Sequence, residues 1–439
     1  MAGRKDNGSW GSCFWGIIVM FVVCIVPTTA MSQYMIHEDG EPEKSGRALA
    51  LPYAFHSDSL DVAYGVAGGM SGYFQRQSSL AVAVLGSSNN SYAAYLLLND
   101  FRIPFLDRLF FDVNASVGHY KEQRSYQLSP PGTLVGKAGT STSSVQDYVK
   151  SSGWDNWGEL RLQYVLPLGH GKDHIVSEYI TQNGLLKSGA SGGESWNPLE
   201  TGKTTIELKP FYRARTFELP KGVTTNNTNG LEVALVYDNT DFKPSPSTGS
   251  LQRFALSRDF GLFDSSGSWT AIEGEVNRYF NLGEMTGLRQ NVLALTAWSA
   301  YSLTWEERLV SGGKTFSHRP PEYMGATLGG KKRMRAYPDF RYNDRASIYY
   351  CAEWRIIPEW NPFSKIPLIN LVTVDWWQPV LFVEAGNVAR NWSVVDLHDD
   401  LKFDAGIGLR FMIEKAVVRV DVAAAPDSWG MWAMIGQTF

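Results

Sequence analysis

The chain has 439 residues, a formal net charge of −4, and 42 Gly, 20 Tyr, 22 Phe and 15 Trp against 3 Cys. Its length admits two or three ordinary globular domains, and its mild acidity offers no general drive toward nucleic acid or anionic lipid. Gly and aromatic enrichment argues against a standard soluble core and suits a membrane barrel, in which apolar residues face lipid, aromatics gird the interfaces and polar residues fill the lumen.

The amino terminus carries Arg4 and Lys5, then an apolar run Phe14–Val26, then Pro27, Thr28, Thr29 and Ala30. This pattern predicts a secretory signal over 1–30, cleaved after Ala30. The run of 13 residues is too short for a spanning helix, although an uncleaved anchor is the alternative. Val23 before Cys24 is not small, which argues against a lipoprotein signal. Cys13 and Cys24 leave with the signal, so the mature chain keeps only Cys351 and forms no internal disulfide. Removing Arg4, Lys5 and Asp6 takes the net charge from −4 to −5. No later run approaches the length of a helical span.

Residues 31–47 are polar and acidic and read as a flexible periplasmic leader. Beyond them, segments of roughly ten residues alternate in character, the length a tilted transmembrane strand needs. They fall at 48–56, 61–73, 79–87, 91–104, 108–120, 157–167, 203–217, 230–242, 249–260, 269–281, 289–301, 345–356, 378–386, 402–413, 416–424 and 429–439. The predicted fold is therefore all-β: a transmembrane 16-stranded antiparallel barrel over 48–439. An even count with short periplasmic turns and long outside loops is the bacterial pattern. It puts 121–156 and 301–345 outside and 243–249 in a periplasmic turn. Residues 168–202 also fall on the periplasmic side yet are long. They predict either a short helix, capped by Asp173 and stopped at Asn183-Gly184, or an extra strand that breaks the count.

Alternation in the last segments sorts residues by face. Phe403, Ala405, Ile407, Leu409 and Phe411 oppose Asp404, Gly406, Gly408 and Arg410. Val418, Val420 and Val422 oppose Arg419 and Asp421. Ile348, Tyr350, Ala352 and Trp354 oppose Tyr349, Cys351, Glu353 and Arg355. A half-buried soluble sandwich gives the same period. The signal and the terminal aromatic favour the membrane barrel, and its charges then point into the lumen.

Several motifs lie on this frame. Residues 328–337 read Leu-Gly-Gly-Lys-Lys-Arg-Met-Arg-Ala-Tyr, followed by Leu381-Phe-Val-Glu-Ala-Gly-Asn387, Phe403–Phe411, Val417–Ala423 and a terminal Gly436-Gln-Thr-Phe439. In this order and spacing they resemble the carboxy-terminal half of the BamA/TamA superfamily of outer-membrane barrels, the bacterial surface antigen family. The resemblance is strongest over 321–439 and weaker over 230–300. It implies that the outside loop 301–345 folds into the lumen and that its motif, Gly329, Gly330, Met334, Arg335, Ala336 and Tyr337, brings Arg335 to an acidic residue on the thirteenth strand. The matching acid is Glu384, which alternation turns inward with Phe382 while Leu381 and Val383 face lipid. A planar guanidinium suits a carboxylate, and a partly desolvated pair is costly to break. The plain reading is a solvated Arg335 and a Glu384 lining a wet pore. Ala336 stands where the family has Gly, which makes a positive φ there less favourable.

Glu353, Arg355, Asp404, Arg410, Arg419 and Asp421 are expected to extend a lumen charge network, a default feature of any barrel. Gly329, Gly330 and Gly386 are expected where the loop packs closely on the wall. Gly436 and Phe439 resemble the terminal signal by which barrels are recognised for insertion. Family members usually carry periplasmic polypeptide-transport-associated domains. With only 31–47 ahead of the first strand, the chain reads as a barrel-only member.

The resemblance implies insertion or translocation of polypeptides at the outer membrane of a diderm (Gram-negative) bacterium. The partners would be outer-membrane lipid, a client polypeptide or a separate periplasmic protein, with a homodimer as a further option and no nucleic acid. A passive or gated channel, or a structural barrel, is the alternative, favoured by the missing periplasmic domains. Pro52 in the first strand cannot donate a ladder bond, which allows a loose seam. No catalytic triad, phosphate loop, CxxC or paired-carboxylate signature appears, so no enzyme activity, cofactor or metal is expected. His398-Asp399-Asp400 reads as a polar turn rather than a metal site.

Overall fold

The computed structural model describes residues 33–40, 46–57, 60–127, 138–193, 195–220, 222–310, 313–363 and 373–439. The signal expected over 1–30 lies outside the described residues. Sixteen strands form one antiparallel sheet in which each strand pairs with the next. They are β1 (Arg47–Ser57), β2 (Asp61–Ser71), β3 (Ser79–Ser87), β4 (Tyr92–Arg102), β5 (Leu109–Ser125), β6 (Val149–Val165), β7 (Lys203–Leu219) and β8 (Gly222–Asp238), then β9 (Gly249–Asp259), β10 (Trp269–Asn281), β11 (Leu288–Ser302), β12 (Ala346–Pro358), β13 (Val374–Ala389), β14 (Lys402–Ile413), β15 (Ala416–Ala425) and β16 (Ser428–Ile435). All sixteen expected segments are present. The central strands β5 to β8 run longer than expected, because their polar outer ends, such as 222–229, carry no apolar alternation to reveal them.

The outer wall is apolar and the inner face charged. On β14, Phe403 and Ile407 are 60% and 61% exposed, while Asp404 and Arg410 are 4% and 0% exposed. On β13, Leu381 and Val383 are exposed while Phe382 and Glu384 are buried. This is the one-residue alternation of a barrel wall. No helix among the described residues is long and apolar enough to cross a membrane.

The seam is open. Among the described residues no backbone ladder joins β1 to β16, although Ile435 packs against a cluster formed by Tyr53, Ala67 and Ala81. Pro52 lies on this unpaired edge strand, opposite Val66 of β2, where a missing N–H costs least.

Segment 168–202 is neither a helix nor a seventeenth wall strand. After a single turn of 3-10 helix at Gly169–Lys172 it forms Ser177–Gln182 and Leu185–Ser188, two strands of a separate small sheet. Ser177, Tyr179 and Thr181 are buried and alternate with exposed neighbours, a period of two that a helix cannot match. Asn183 and Gly184 have φ of 50° and 72°, so the pair expected to stop a helix makes a tight hairpin turn instead.

The leader expected to be flexible over 31–47 supplies the third strand. Tyr34–Glu38 pairs in parallel with Ser177–Gln182. The small sheet closes against the near end of the wall, where β1 begins and β16 finishes. Tyr34 and Tyr179 pack there with Phe242, Ile357, Trp376, Met412 and Val417. Trp376 donates to Gly184 O at 2.9 Å, and Lys415 bonds Glu38 at 2.8 Å.

Candidate functional site

The far-end connection between β11 and β12 turns into the lumen and is pinned on two sides. A short ladder between Thr327–Leu328 and Tyr342–Asn343 shapes it into a hairpin. The two glycines before the motif are needed there. Gly329 and Gly330 have φ of 108° and 96°, and a Cβ would sit 2.2 Å from Pro338 O or 2.0 Å from Asp339 Oδ1. Met334 takes φ of 60° and is fully buried, whereas Ala336 does not adopt a positive φ. The left-handed residue of the motif is thus Met334, and Ala336 carries no strain.

Arg335 projects from this hairpin onto the wall formed by β12 to β15. Its Nε lies 3.2 Å from Glu384, Nη2 lies 3.0 Å from Glu353, and Nη1 lies 2.8 Å from Asp421. The guanidinium also stacks 3.4 Å above the Phe382 ring. Glu384 is held from two further directions, accepting the backbone N–H of Arg335 at 2.6 Å and the Tyr349 hydroxyl. Asp404 accepts the Ala336 N–H at 3.2 Å. The pairing expected of Arg335 with one acid is therefore a pairing with three, and all four side chains have no exposure.

The remaining network residues complete the cluster. Glu353 bonds Arg355 at 2.7 Å and Arg410 at 2.8 Å, and Arg419 bonds Asp421 at 2.6 Å. Four guanidiniums thus meet three carboxylates in a buried space, with Asp404 beside them on the Ala336 N–H, each of the eight residues at most 4% exposed. Charges buried this far are tolerable only when mutually satisfied, and removal of one strands the others. Tyr337 packs on Tyr342 nearby rather than bonding the charges.

The terminal segment departs from expectation. A wall strand over 429–439 with an interface aromatic is predicted, but the ladder with β15 stops at Ile435. Gly436 then turns with φ of 87°, and the next three residues enter the lumen. The Thr438 hydroxyl lies 2.7 Å from Arg419, 3.1 Å from Arg410 and 3.0 Å from Glu353. Phe439 stacks on Tyr279 and lies under the Arg355 guanidinium, 4.9 Å from its ring centre. Satisfying buried charges outweighs one more turn of ladder.

Other participants escape the sequence reading. Trp432 and Ser428 of β16 donate to Arg335 O at 2.7 Å and Ala336 O at 2.6 Å. At Gly430 a Cβ would lie 2.2 Å from Arg335 O. An isolated Gly inside an aromatic strand is a signal of close backbone approach that could have marked this contact. Across the lumen, Glu322 accepts the N–H groups of Tyr126 and Gln127 at 2.8 and 2.9 Å and pairs with Arg215 at 2.6 Å. Nothing in the local sequence distinguishes Glu322. Gly386 lets Leu328 approach, a Cβ there meeting Leu328 at 2.9 Å.

On β6 to β10 the lumen charges are arranged differently. Arg253 meets Glu232 and Glu273 and lies 3.8 Å from Glu207. Lys209 bonds Glu232 at 2.9 Å, and Arg213 pairs with Asp155 at 2.6 Å. Lys209, Arg213, Arg253 and Glu273 keep 16–28% side-chain exposure, while Glu207 and Glu232 are buried. His398, read as part of a polar turn, lies 3.1 Å from Tyr350 Oη on the outside of the barrel.

A search of curated proteins gives no match to the chain. Among solved structures it is similar to CdiB from Escherichia coli, with a TM-score of 0.54 and 11% identity over 90% of this chain and 63% of that one. It is also similar to BamA from Haemophilus ducreyi lacking POTRA domains 1–3, with a TM-score of 0.47 and 12% identity over 90% of this chain and 70% of that one. At such identity the likeness to CdiB concerns the fold, and this chain spans less than two thirds of it. An Omp85 superfamily domain matches residues 200–429, which hold β7 to β15 and every charged residue of the Arg335 cluster. That segment is just over half of the chain, and the protein belongs to the Omp85 superfamily.

Proposed function

We propose that this barrel inserts polypeptides into the outer membrane of a diderm bacterium or translocates them across it, without bond-making chemistry of its own. The observation that carries the reading is the open seam. β1 offers an eleven-residue edge with no ladder to β16, and an unpaired edge can accept a strand from another chain. Superfamily membership supports the same reading. The Arg335 cluster would serve as a brace, holding the loop and β16 together so that the edge of β1 stays available. A separate periplasmic protein would present the client at the near end.

The test is a quantitative outer-membrane proteome of a strain lacking the protein against its parent. Selective loss of one or a few surface proteins is expected and would name the client. A disulfide engineered between β1 and β16, in a Cys351→Ala background, should abolish the activity. Full activity of the cross-linked barrel would refute the seam mechanism.

A gated channel is the second reading, favoured by the partly exposed charges on β6 to β10. Deleting 318–340 would then raise conductance in planar bilayers, and an unchanged outer-membrane proteome would move the assignment to this reading.

A further inference from the structure

The connection between β13 and β14, residues 390–401, does not stand above the barrel. It folds back over the lipid-facing side of the wall, carrying a short helix, α1 (Val394–Asp399). Two hydrogen bonds pin it there. Trp392 Nε1 donates to Ser299 Oγ at 2.8 Å, and Tyr350 Oη and His398 Nε2 lie 3.1 Å apart. Leu397 is buried against Ala346 and Ile348. Between these contacts a half-open cavity of about 220 Å³ is left, with Val394 on the loop side and Gly274, Ala297 and Ile348 on the wall side.

The cavity arises from residue size. Gly274, Ser299 and Ile348 are neighbours across β10, β11 and β12, and Ala297 sits beside Tyr350. Three small residues on one face of adjacent strands leave a trough in a wall otherwise built from large apolar side chains. A Cβ added at Gly274 would meet nothing within 4 Å. Water would find few partners there. The Ser299 hydroxyl already accepts from Trp392 and donates to Ser347 O at 2.9 Å, and the His398 nitrogens face Tyr350 and Val394 O. Protein interiors are close-packed, so an apolar trough roofed by a loop calls for an apolar filler.

Position names the filler. The trough is continuous with the lipid-facing wall and lies at its far-end margin, about 20 Å in depth from Ile356 along a tilted β12. The helix over the trough carries an exposed apolar pair, Val394 and Val395, at 64% and 75%. Exposed apolar side chains beside a lipid-facing wall suit acyl chains better than water. We propose that the cavity holds a segment of one acyl chain of a membrane lipid, with residues 390–401 as the clasp. This site lies on β10 to β12, away from the seam, and does not rest on the polypeptide-handling reading.

The full chain, reconstituted into phosphatidylethanolamine vesicles with a diazirine-bearing acyl chain, is irradiated and its labelled peptides identified. Label on 297–299, 348–350 or 392–398 should exceed that on Val233 and Leu235 of the open lipid face. Ala297→Phe, which fills the trough, should lower the cavity label about tenfold and leave the Val233 label unchanged. Gly274→Leu fills the same trough from β10 and decides the matter should Ala297→Phe fail to fold. Cavity label no greater than wall label, or unaffected by a folded filling variant, would overturn the proposal and leave an empty packing gap.

Discussion

Arg335 and Arg253 are both lumen-facing guanidiniums, and each is shared among three carboxylates. They differ in water. The Arg335 side chain has 0% exposure and the Arg253 side chain 22%. The difference lies outside the strands that carry the acids. The hairpin at 327–343, β16 and the inturned 437–439 cover the first cluster, while the hairpin touches the ladder on β6 to β10 only at its edge, where Arg333 bonds Glu275 at 3.0 Å. Charge pairs of similar composition thus become a brace in one half and a solvated lining in the other, because low dielectric raises both the attraction and the penalty for a missing partner.

Arg335→Glu should break this comparison most strongly. It places a fourth carboxylate among Glu353, Glu384 and Asp421 and should cost at least about 3–5 kcal/mol, read by urea unfolding in lipid vesicles. Adding Glu384→Arg should restore only part, since Glu353 and Asp421 still face the new acid. Strictly additive losses would mean that the two residues are not coupled.

Gly430→Val tests the brace from the wall side. Its Cβ would collide with Arg335 O, so a loss of about 1–3 kcal/mol is expected, with easier proteolysis of the loop. Wild-type stability would show that β16 does not hold the hairpin.

Arg253→Gln sharpens the contrast. Water can replace much of what this residue provides, so the expected loss is about 1 kcal/mol, accompanied by stronger cation selectivity in bilayer recordings. A loss equal to that of Arg335→Gln would erase the distinction between the two halves.

The smallest effect concerns the near-end sheet. Burial pushes the Glu38 carboxyl up, but the Lys415 ammonium, the Thr181 hydroxyl and the Asn183 N–H together hold it below its ordinary 4.5. A depressed carboxylate contributes stability above its unfolded pKa, and that contribution is lost as pH falls through the folded value. The pair is near the surface, so its worth is under about 1 kcal/mol. Amide protection of Tyr34–Glu38 should exceed that of a Glu38→Gln variant at pH 7, and the difference should shrink as pH falls below 4.5 and vanish below the folded value. A difference that persists in acid would assign the docking of this sheet to Tyr34 and Tyr179 alone.

Much of the wall is legible in the sequence, because a wall strand answers to one rule: lipid on one face and polar contents on the other. Alternation at 402–411 and 346–355 therefore specifies both strand and facing. Glycines 329 and 330 are legible for a similar reason, as no side chain fits the backbone they adopt. Asn183-Gly184 misleads because the same pair ends helices and turns hairpins, and only the alternating burial of Ser177, Tyr179 and Thr181 separates the two.

The sequence by itself marked sixteen alternating segments, their order and the inward face of Glu384, since these follow from local period, while the placing of Arg335 in a lumen loop followed from the family resemblance. The tertiary structure alone decided that Arg335 meets three acids rather than one, that 437–439 leave the wall to join them, that β1 and β16 share no ladder, and that Tyr34–Glu38 pairs with a strand some 140 residues away. Those outcomes depend on which charges end up dry and which edges end up near one another, and contacts between distant parts of the chain set both.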